Sequence, residues 1–265
     1  MWSLLRRLAR RIAANRHRHL DPEQRWELEF AAYKRDHPDA AFAQFYVDKA
    51  LTSIRAGEAH STLGLRLLPR SAGAKGDADF FEAGRAAFKR YTKTLGIAPG
   101  QRVIDYGCGS LRVGIHFMNY LDVGNYMGLD ITRDFIDIGA SAASDLIRLK
   151  QPFLAPIGPD AIAKGKAFAA DYVVSNAVSY HVHPDEIGAY FSNLAALCSK
   201  PGAVLAFDAK LADSPVRFKL RGWAWPLEFY RNQLALLDFV AMDGAKPPGI
   251  ADSAPHSAVL RFRRA

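Results

Sequence analysis

The sequence predicts an α/β domain built on a mostly parallel, doubly wound sheet, on three observations. Residues 102–112 read RVIDYGCGSLR, a short buried strand broken by Gly107 and Gly109 and followed by a helical pattern from Leu111. A second apolar run, 126–129, ends in Asp130, twenty-five residues beyond Asp105. Helical patterns then alternate with apolar runs at 153–157, 170–176 and 203–207, as expected for strands covered on both faces. A strand that turns through glycines into a helix presents free backbone N–H groups to a ligand. An acidic side chain at the tip of the next strand can accept hydrogen bonds from ribose hydroxyls. Together these features predict a nucleoside site at the carboxyl ends of the strands.

The spacing selects among nucleoside ligands. A dinucleotide fingerprint needs Gly-x-Gly-x-x-Gly, and its third glycine would fall at Arg112. Asp105 stands two residues before the first glycine, where its charge repels a pyrophosphate and suits a cation. Asp105, Gly107 and Gly109 match the acidic-x-Gly-x-Gly-x-Gly motif of the class I methyltransferases that use S-adenosylmethionine, and the chain resembles that family from about residue 80 to its C-terminus. Leu111 stands where the family usually has its third glycine.

The resemblance implies a seven-stranded, mostly parallel sheet closed by an antiparallel hairpin, here preceded by an N-terminal helical extension. It implies S-adenosylmethionine as cofactor and methyl transfer as reaction. The cofactor-binding residues expected are Asp105, Gly107 and Gly109 at the turn, Asp130 and Ile131 at the second strand tip, and Asn176 at the end of the fourth strand. Arg85, on a helix that in the family crosses over the cofactor, is the candidate to hold the methionine carboxylate; an exposed helix arginine is the alternative. Asp160, in a turn after the third strand, is a candidate neighbour of the adenine or simply a turn residue.

In chain order, residues 1–19 carry Arg6, Arg7, Arg10, Arg11, Arg16 and Arg18 before the first acid, Asp21, and account for most of the net charge of +8. Trp2, Leu4, Leu5, Leu8 and Ile12 share one side of a helical projection. Such a basic amphipathic helix suits an anionic membrane surface; packing on the protein's own body and an organellar transit peptide are the other readings. Residues 20–76 read as a helical extension and linker. One helix starts at Asp21-Pro-Glu, a second at His37-Pro-Asp, and the turn-rich stretch 69–76 ends the unit. Residues 77–265 form the expected methyltransferase domain. Its elements are a helix over 79–95, the strands above, and a helix that Thr132 caps and that runs on towards Leu149. A helix from Pro184-Asp-Glu to Leu197 follows, and 217–225, 227–237, 239–242 and 258–262 close the sheet.

A chain of 265 residues with 49% hydrophobic and 23% charged residues is a folded protein of ordinary composition. No apolar run approaches the roughly 20 residues of a bilayer span. Cys108 and Cys198 lack disulfide or metal-ligand spacing, so no metal is expected and a reducing, cytoplasmic location is, with peripheral membrane contact through residues 1–19. A general base is needed only if the acceptor must lose a proton. His181 is the catalytic candidate, with His183 beside it; for each, a loop or capping histidine is the plainer role. Tyr180 is either a core tyrosine or an acceptor contact. Arg112 either binds an acidic acceptor or braces the turn. The acceptor expected is a small molecule, glycan or lipid-linked precursor. Nucleic acid is disfavoured, since no Asn-Pro-Pro-Tyr segment follows the fourth strand. The rival reading is a non-catalytic, nucleoside-binding or membrane-recruited regulatory protein with the same fold.

Overall fold

The computed structural model describes residues 22–56, 77–218, 222–244 and 254–265. Val103–Tyr106 (β1) lies inside a seven-stranded sheet between Tyr126–Asp130 (β2) and Tyr172–Ser175 (β4). Phe153–Pro156 (β3) flanks β2, and beyond β4 come Val204–Leu211 (β5), His256–Arg263 (β9) and Asp238–Asp243 (β8). The order is β3-β2-β1-β4-β5-β9-β8. β1 to β5 pair in parallel, and β9 runs antiparallel to both of its neighbours. The order reverses direction between β1 and β4, and a crevice opens at the carboxyl ends of strands at such a point.

β1 and β2 are buried at every position, which fits their largely apolar sequences, with Asp105 and Asp130 as the exceptions. Ile104, Met127 and Leu129 face a core shared with Pro159–Phe168 (α7), Ile187–Leu197 (α8) and Leu227–Gln233 (α9). Val103, Tyr126 and Val174 face the opposite core, closed by Asp77–Leu95 (α3), Gly114–Tyr120 (α4), Arg133–Ala142 (α5) and Ser144–Lys150 (α6). The alternation of Val103 and Ile104 between the two clusters follows from the strand period of two.

The helical extension comprises Pro22–Asp36 (α1) and Phe42–Arg55 (α2). Trp26, Phe30, Phe42 and Phe45 form an aromatic cluster with Trp223. Lys49 pairs with Glu29 between the two helices, and Arg217 bonds Glu27 at 2.8 Å. Trp223 and Arg217 belong to a two-stranded antiparallel ribbon, Val216–Phe218 (β6) and Gly222–Ala224 (β7). The extension thus docks on the ribbon.

Several expectations are corrected. The second helix starts at Phe42, and His37-Pro-Asp only turns the chain. Its N-cap, Ala41, has no capping side chain. Instead the Glu186 carboxylate accepts the Ala43 amide at 3.1 and 3.3 Å, an anion at a helix N-terminus supplied from 143 residues away. Thr132 does cap α5, accepting from the Asp134 amide at 3.3 Å, but the helix breaks at Ala143 and resumes as α6. Gly158-Pro-Asp opens α7 instead of forming a plain turn. β5 continues past Asp208 to Leu211, and the ribbon β6–β7 stands apart from the closing β8–β9 pair. The amphipathic segment 1–19, the part of the expected helical pattern over residues 57–68 and the turn-rich linker 69–76 lie outside the described residues. No helix among the described residues is long and apolar enough to cross a membrane.

One contact fixes α3 against the glycine turn. A Cβ on Gly84 would lie 1.8 Å from the Arg112 carbonyl oxygen, so helix and turn touch backbone to backbone. Gly84→Ala should gain about 1 kcal/mol in helix propensity and lose more to this overlap, about 1–3 kcal/mol. A lower thermal unfolding midpoint is expected; a raised midpoint would show that α3 does not pack this way.

Candidate active site

The turn after β1 is held on the tip of β2. The amides of Gly107 and Cys108 donate to the Leu129 carbonyl at 2.7 and 3.0 Å, and the Gly109 amide donates to Asp130 Oδ2 at 2.7 Å. Gly107 has φ +83° and Gly109 φ +54°, the left-handed region that favours glycine. Leu111, in the place of the family's third glycine, also has a positive φ of 62° and is fully buried among Val103, Phe117 and Tyr126. A left-handed non-glycine residue costs about 1–3 kcal/mol and persists where packing enforces it. Leucine therefore keeps the glycine conformation here and anchors the turn in the core.

Two carboxylates lie beneath the turn. Asp105 is 2% exposed and accepts the Tyr126 hydroxyl at 2.9 Å. Burial pushes its pKa up to about 7; the Tyr126 hydrogen bond opposes this and the charge of Asp130 adds to it. Asp130 is 5% exposed, and burial raises its pKa to about 6 against the amides of Gly109, Thr132 and Ile131. Its Oδ1 is buried without a hydrogen-bond donor of good geometry. Burial pushes the Cys108 thiol well above its ordinary value, which disfavours its thiolate.

These groups line a cavity of about 520 Å³. One wall is the turn and the strand tips: residues 105–110, Asp130, Ile131 and residues 176–178. The facing wall is α2 through Phe42, Ala43 and Tyr46, the loop with His181 and His183, Glu186, and α8 through Ala189, Tyr190 and Asn193. Of the residues expected from sequence, Asp105, Gly107, Gly109, Asp130, Ile131, Asn176 and His181 are brought together around this space. Arg85 and Asp160 are not among its lining residues. Arg85 is exposed and paired with Glu82 one turn away, and Asp160 sits in the first turn of α7. Tyr180 is likewise absent from the lining; the Lys210 ammonium lies 5.6 Å over its ring. His183 stacks on Phe42 at 4.8 Å and meets Trp223 edge-on at 5.4 Å, so its first role is packing.

The cation that ties α3 to the strand tips is Arg90. It pairs with Asp208 at 2.7 Å and donates to Asn176 Oδ1 at 3.2 Å. Asp208 also accepts the Tyr91 hydroxyl at 3.0 Å and the Ala177 amide at 3.1 Å, which holds Ala177 at a φ of +58°. Sequence reasoning missed this network, because its members lie on three separated elements. It also missed Tyr106, whose hydroxyl accepts from Asn193 Nδ2 at 2.9 Å, and Tyr190, which donates to Ser175 Oγ at 2.8 Å. A signal for this wall existed: Glu186, Ala189, Tyr190 and Asn193 follow the i, i+3, i+4, i+7 spacing of one helix face.

Sheet order, switch-point cavity and glycine turn define a class I methyltransferase fold. Among solved structures, the chain is similar to the [4+2]-cyclase SpnF at 13% identity, covering 68% of this chain and 80% of that one, with a TM-score of 0.54. It is also similar to the MccD protein, at 8% identity, 69% and 98% coverage and a TM-score of 0.51. A third likeness is to the small RNA methyltransferase HEN1, at 14% identity, 69% and 25% coverage and a TM-score of 0.50. No curated protein matches the sequence. At these identities a shared fold is what the structures show, and one of them is a cyclase. Residues 104–205 match the family model for a methyltransferase domain. A match to a methyltransferase domain implies S-adenosylmethionine as the cofactor to test against this site.

The residues present fit that cofactor: Asp130 Oδ1 is a buried acceptor that lacks a donor, and ribose hydroxyls are donors. Asp130→Ala should weaken S-adenosylhomocysteine binding by at least about 1.5 kcal/mol, roughly tenfold, in calorimetry on a folded variant. Unchanged affinity would remove Asp130 from the site. For the unliganded protein the sign of the pH dependence also follows. Between the ordinary carboxyl value of 3.8 and the folded values of about 6 and 7, the native state binds more protons than the unfolded chain. These two groups therefore contribute a fall in stability as pH rises through that window. Asp105→Asn should flatten the fall in urea titrations run across it; an unaltered profile would place the titration elsewhere.

Proposed function

We propose that the protein transfers a methyl group to a small-molecule acceptor, glycans and lipid-linked precursors included, held between the glycine turn and α2. The observation that carries this is the continuity of the cavity. The nucleoside-type wall at the turn and the wall of α2, His181 and α8 enclose the same space of about 520 Å³, a volume suited to small ligands. When bound, the cofactor supplies a methyl group on a positively charged sulfur, ready for in-line displacement.

The chain's own residues orient and desolvate. Asp130 receives the ribose hydroxyls, with Ile131 and Asn176 beside it. Asp105 adds negative charge beneath the turn. Phe42, Tyr46 and Phe135 exclude water from the facing side, which strengthens charge interactions inside. His181, at the exposed edge of the lining, takes up the proton of an acceptor nucleophile through its ring. The basic segment 1–19 adds attachment to an anionic membrane surface through its arginines.

S-adenosylmethionine and S-adenosylhomocysteine should both raise the thermal midpoint, since each binds only the native state. NAD and NADP should not, and stabilisation by NAD alone would overturn the reading. With isotopically labelled S-adenosylmethionine and a metabolite extract, label should pass to a small product. His181→Gln should slow that transfer by about 100-fold or more while the shift with S-adenosylhomocysteine is kept; an unaffected rate would remove His181 as base. The full chain should float with anionic liposomes and dissociate at high salt, and a chain starting at Asp21 should not. Equal flotation of both would refute the membrane role of residues 1–19.

A further inference from the structure

Arg112 is a cation in the cavity that has no anionic partner among the described residues. It lines the space and is half-buried, and among the described residues no acidic side chain pairs with its guanidinium. Burial lowers its pKa, and the nearest polar influence is Tyr46 on α2. The three acidic residues that line the cavity are otherwise engaged. Asp105 takes the Tyr126 hydroxyl, Asp130 the Gly109 amide and Glu186 the Ala43 amide.

The backbone of Arg112 is also immobile. Its carbonyl abuts Gly84, and the neighbouring Ser110 carbonyl lies 2.1 Å from where a Cβ on Gly139 would stand. Leu111 between them is buried and left-handed. A half-buried charge held in place and left unpaired is unfavourable unless something else neutralises it. The surroundings say what that partner looks like. Tyr46 and Phe135 face each other edge-on at 6.4 Å, and both line the cavity with Arg112.

We propose that the methyl acceptor carries an acid group that docks on the Arg112 guanidinium, with an apolar or aromatic body against Tyr46 and Phe135. This rests on the cavity being the methyl-transfer site. A planar guanidinium takes a carboxylate through two parallel hydrogen bonds and a phosphate ester as readily. Carboxylate and phosphate are therefore both accommodated.

The full chain saturated with S-adenosylhomocysteine is titrated with benzoate, its neutral isostere benzamide, and phenyl phosphate. Benzoate or phenyl phosphate should bind about tenfold more tightly than benzamide, the scale of one charge-assisted hydrogen bond; whichever is tighter names the acid. Arg112→Met should abolish the preference, and Arg112→Lys should keep part of it. Both variants should retain the affinity for S-adenosylhomocysteine. Equal binding of benzoate, phenyl phosphate and benzamide to the unaltered protein overturns the inference. So does a loss of S-adenosylhomocysteine affinity in Arg112→Met with 5′-methylthioadenosine unaffected, which would assign the cation to the cofactor's amino-acid end. Failure of S-adenosylhomocysteine to bind the unaltered protein would instead refute the methyltransferase reading of the cavity.

Discussion

The hydrogen bond from the Gly109 amide to Asp130 Oδ2, 2.7 Å long, is the joint on which the site is built. It locks the turn after β1 to the tip of β2, and the Leu129 carbonyl adds two more bonds to the same turn. The parallel register that sets Asp105 opposite Gly128 and Tyr106 opposite Leu129 places the two carboxylates under one loop. Burial then raises both pKa values. A ligand that brought hydroxyl donors and positive charge would favour the charged form of both carboxyls. Preorganised charge of this kind is what a transferase can supply to a cofactor that carries the reactive group itself.

The remaining walls are held by contacts between distant parts of the chain. Gly84 and Gly139 let α3 and α5 press on the backbone of residues 110–112. Asp208 gathers Arg90, Tyr91 and the Ala177 amide, and so fixes the strained turn after β4. Glu186 caps α2 from the start of α8. The helical extension is consequently part of the cavity wall, through Phe42, Ala43 and Tyr46.

Much of this was legible because it is local. The strand–glycine–helix signature, the acid at the second strand tip and the apolar runs of the parallel strands are set within a few residues of sequence. What was hidden depends on tertiary packing. The start of α2 could not be read from His37-Pro-Asp, because its cap is Glu186. Arg85 and Arg90 share a helix and a residue type, and only the position of Asp208 decides which of them reaches the strand tips. The left-handed conformation of Leu111 was equally invisible, since leucine adopts it here under pressure from Phe117 and Tyr126. Arg112 could be named from the motif, but that no acidic side chain among the described residues pairs with it is a fact of packing alone.

The central claim is that a bound nucleoside favours the charged forms of Asp105 and Asp130, whose pKa values burial raises to about 7 and about 6, so that protons leave to solvent. Titration calorimetry of S-adenosylhomocysteine at about pH 6.5, in two buffers of different ionisation enthalpy, counts those protons through the linkage between binding and protonation. Net proton release is expected, because ribose hydroxyls donating to Asp130 favour its carboxylate. Binding with no proton released, or with proton uptake, would contradict it.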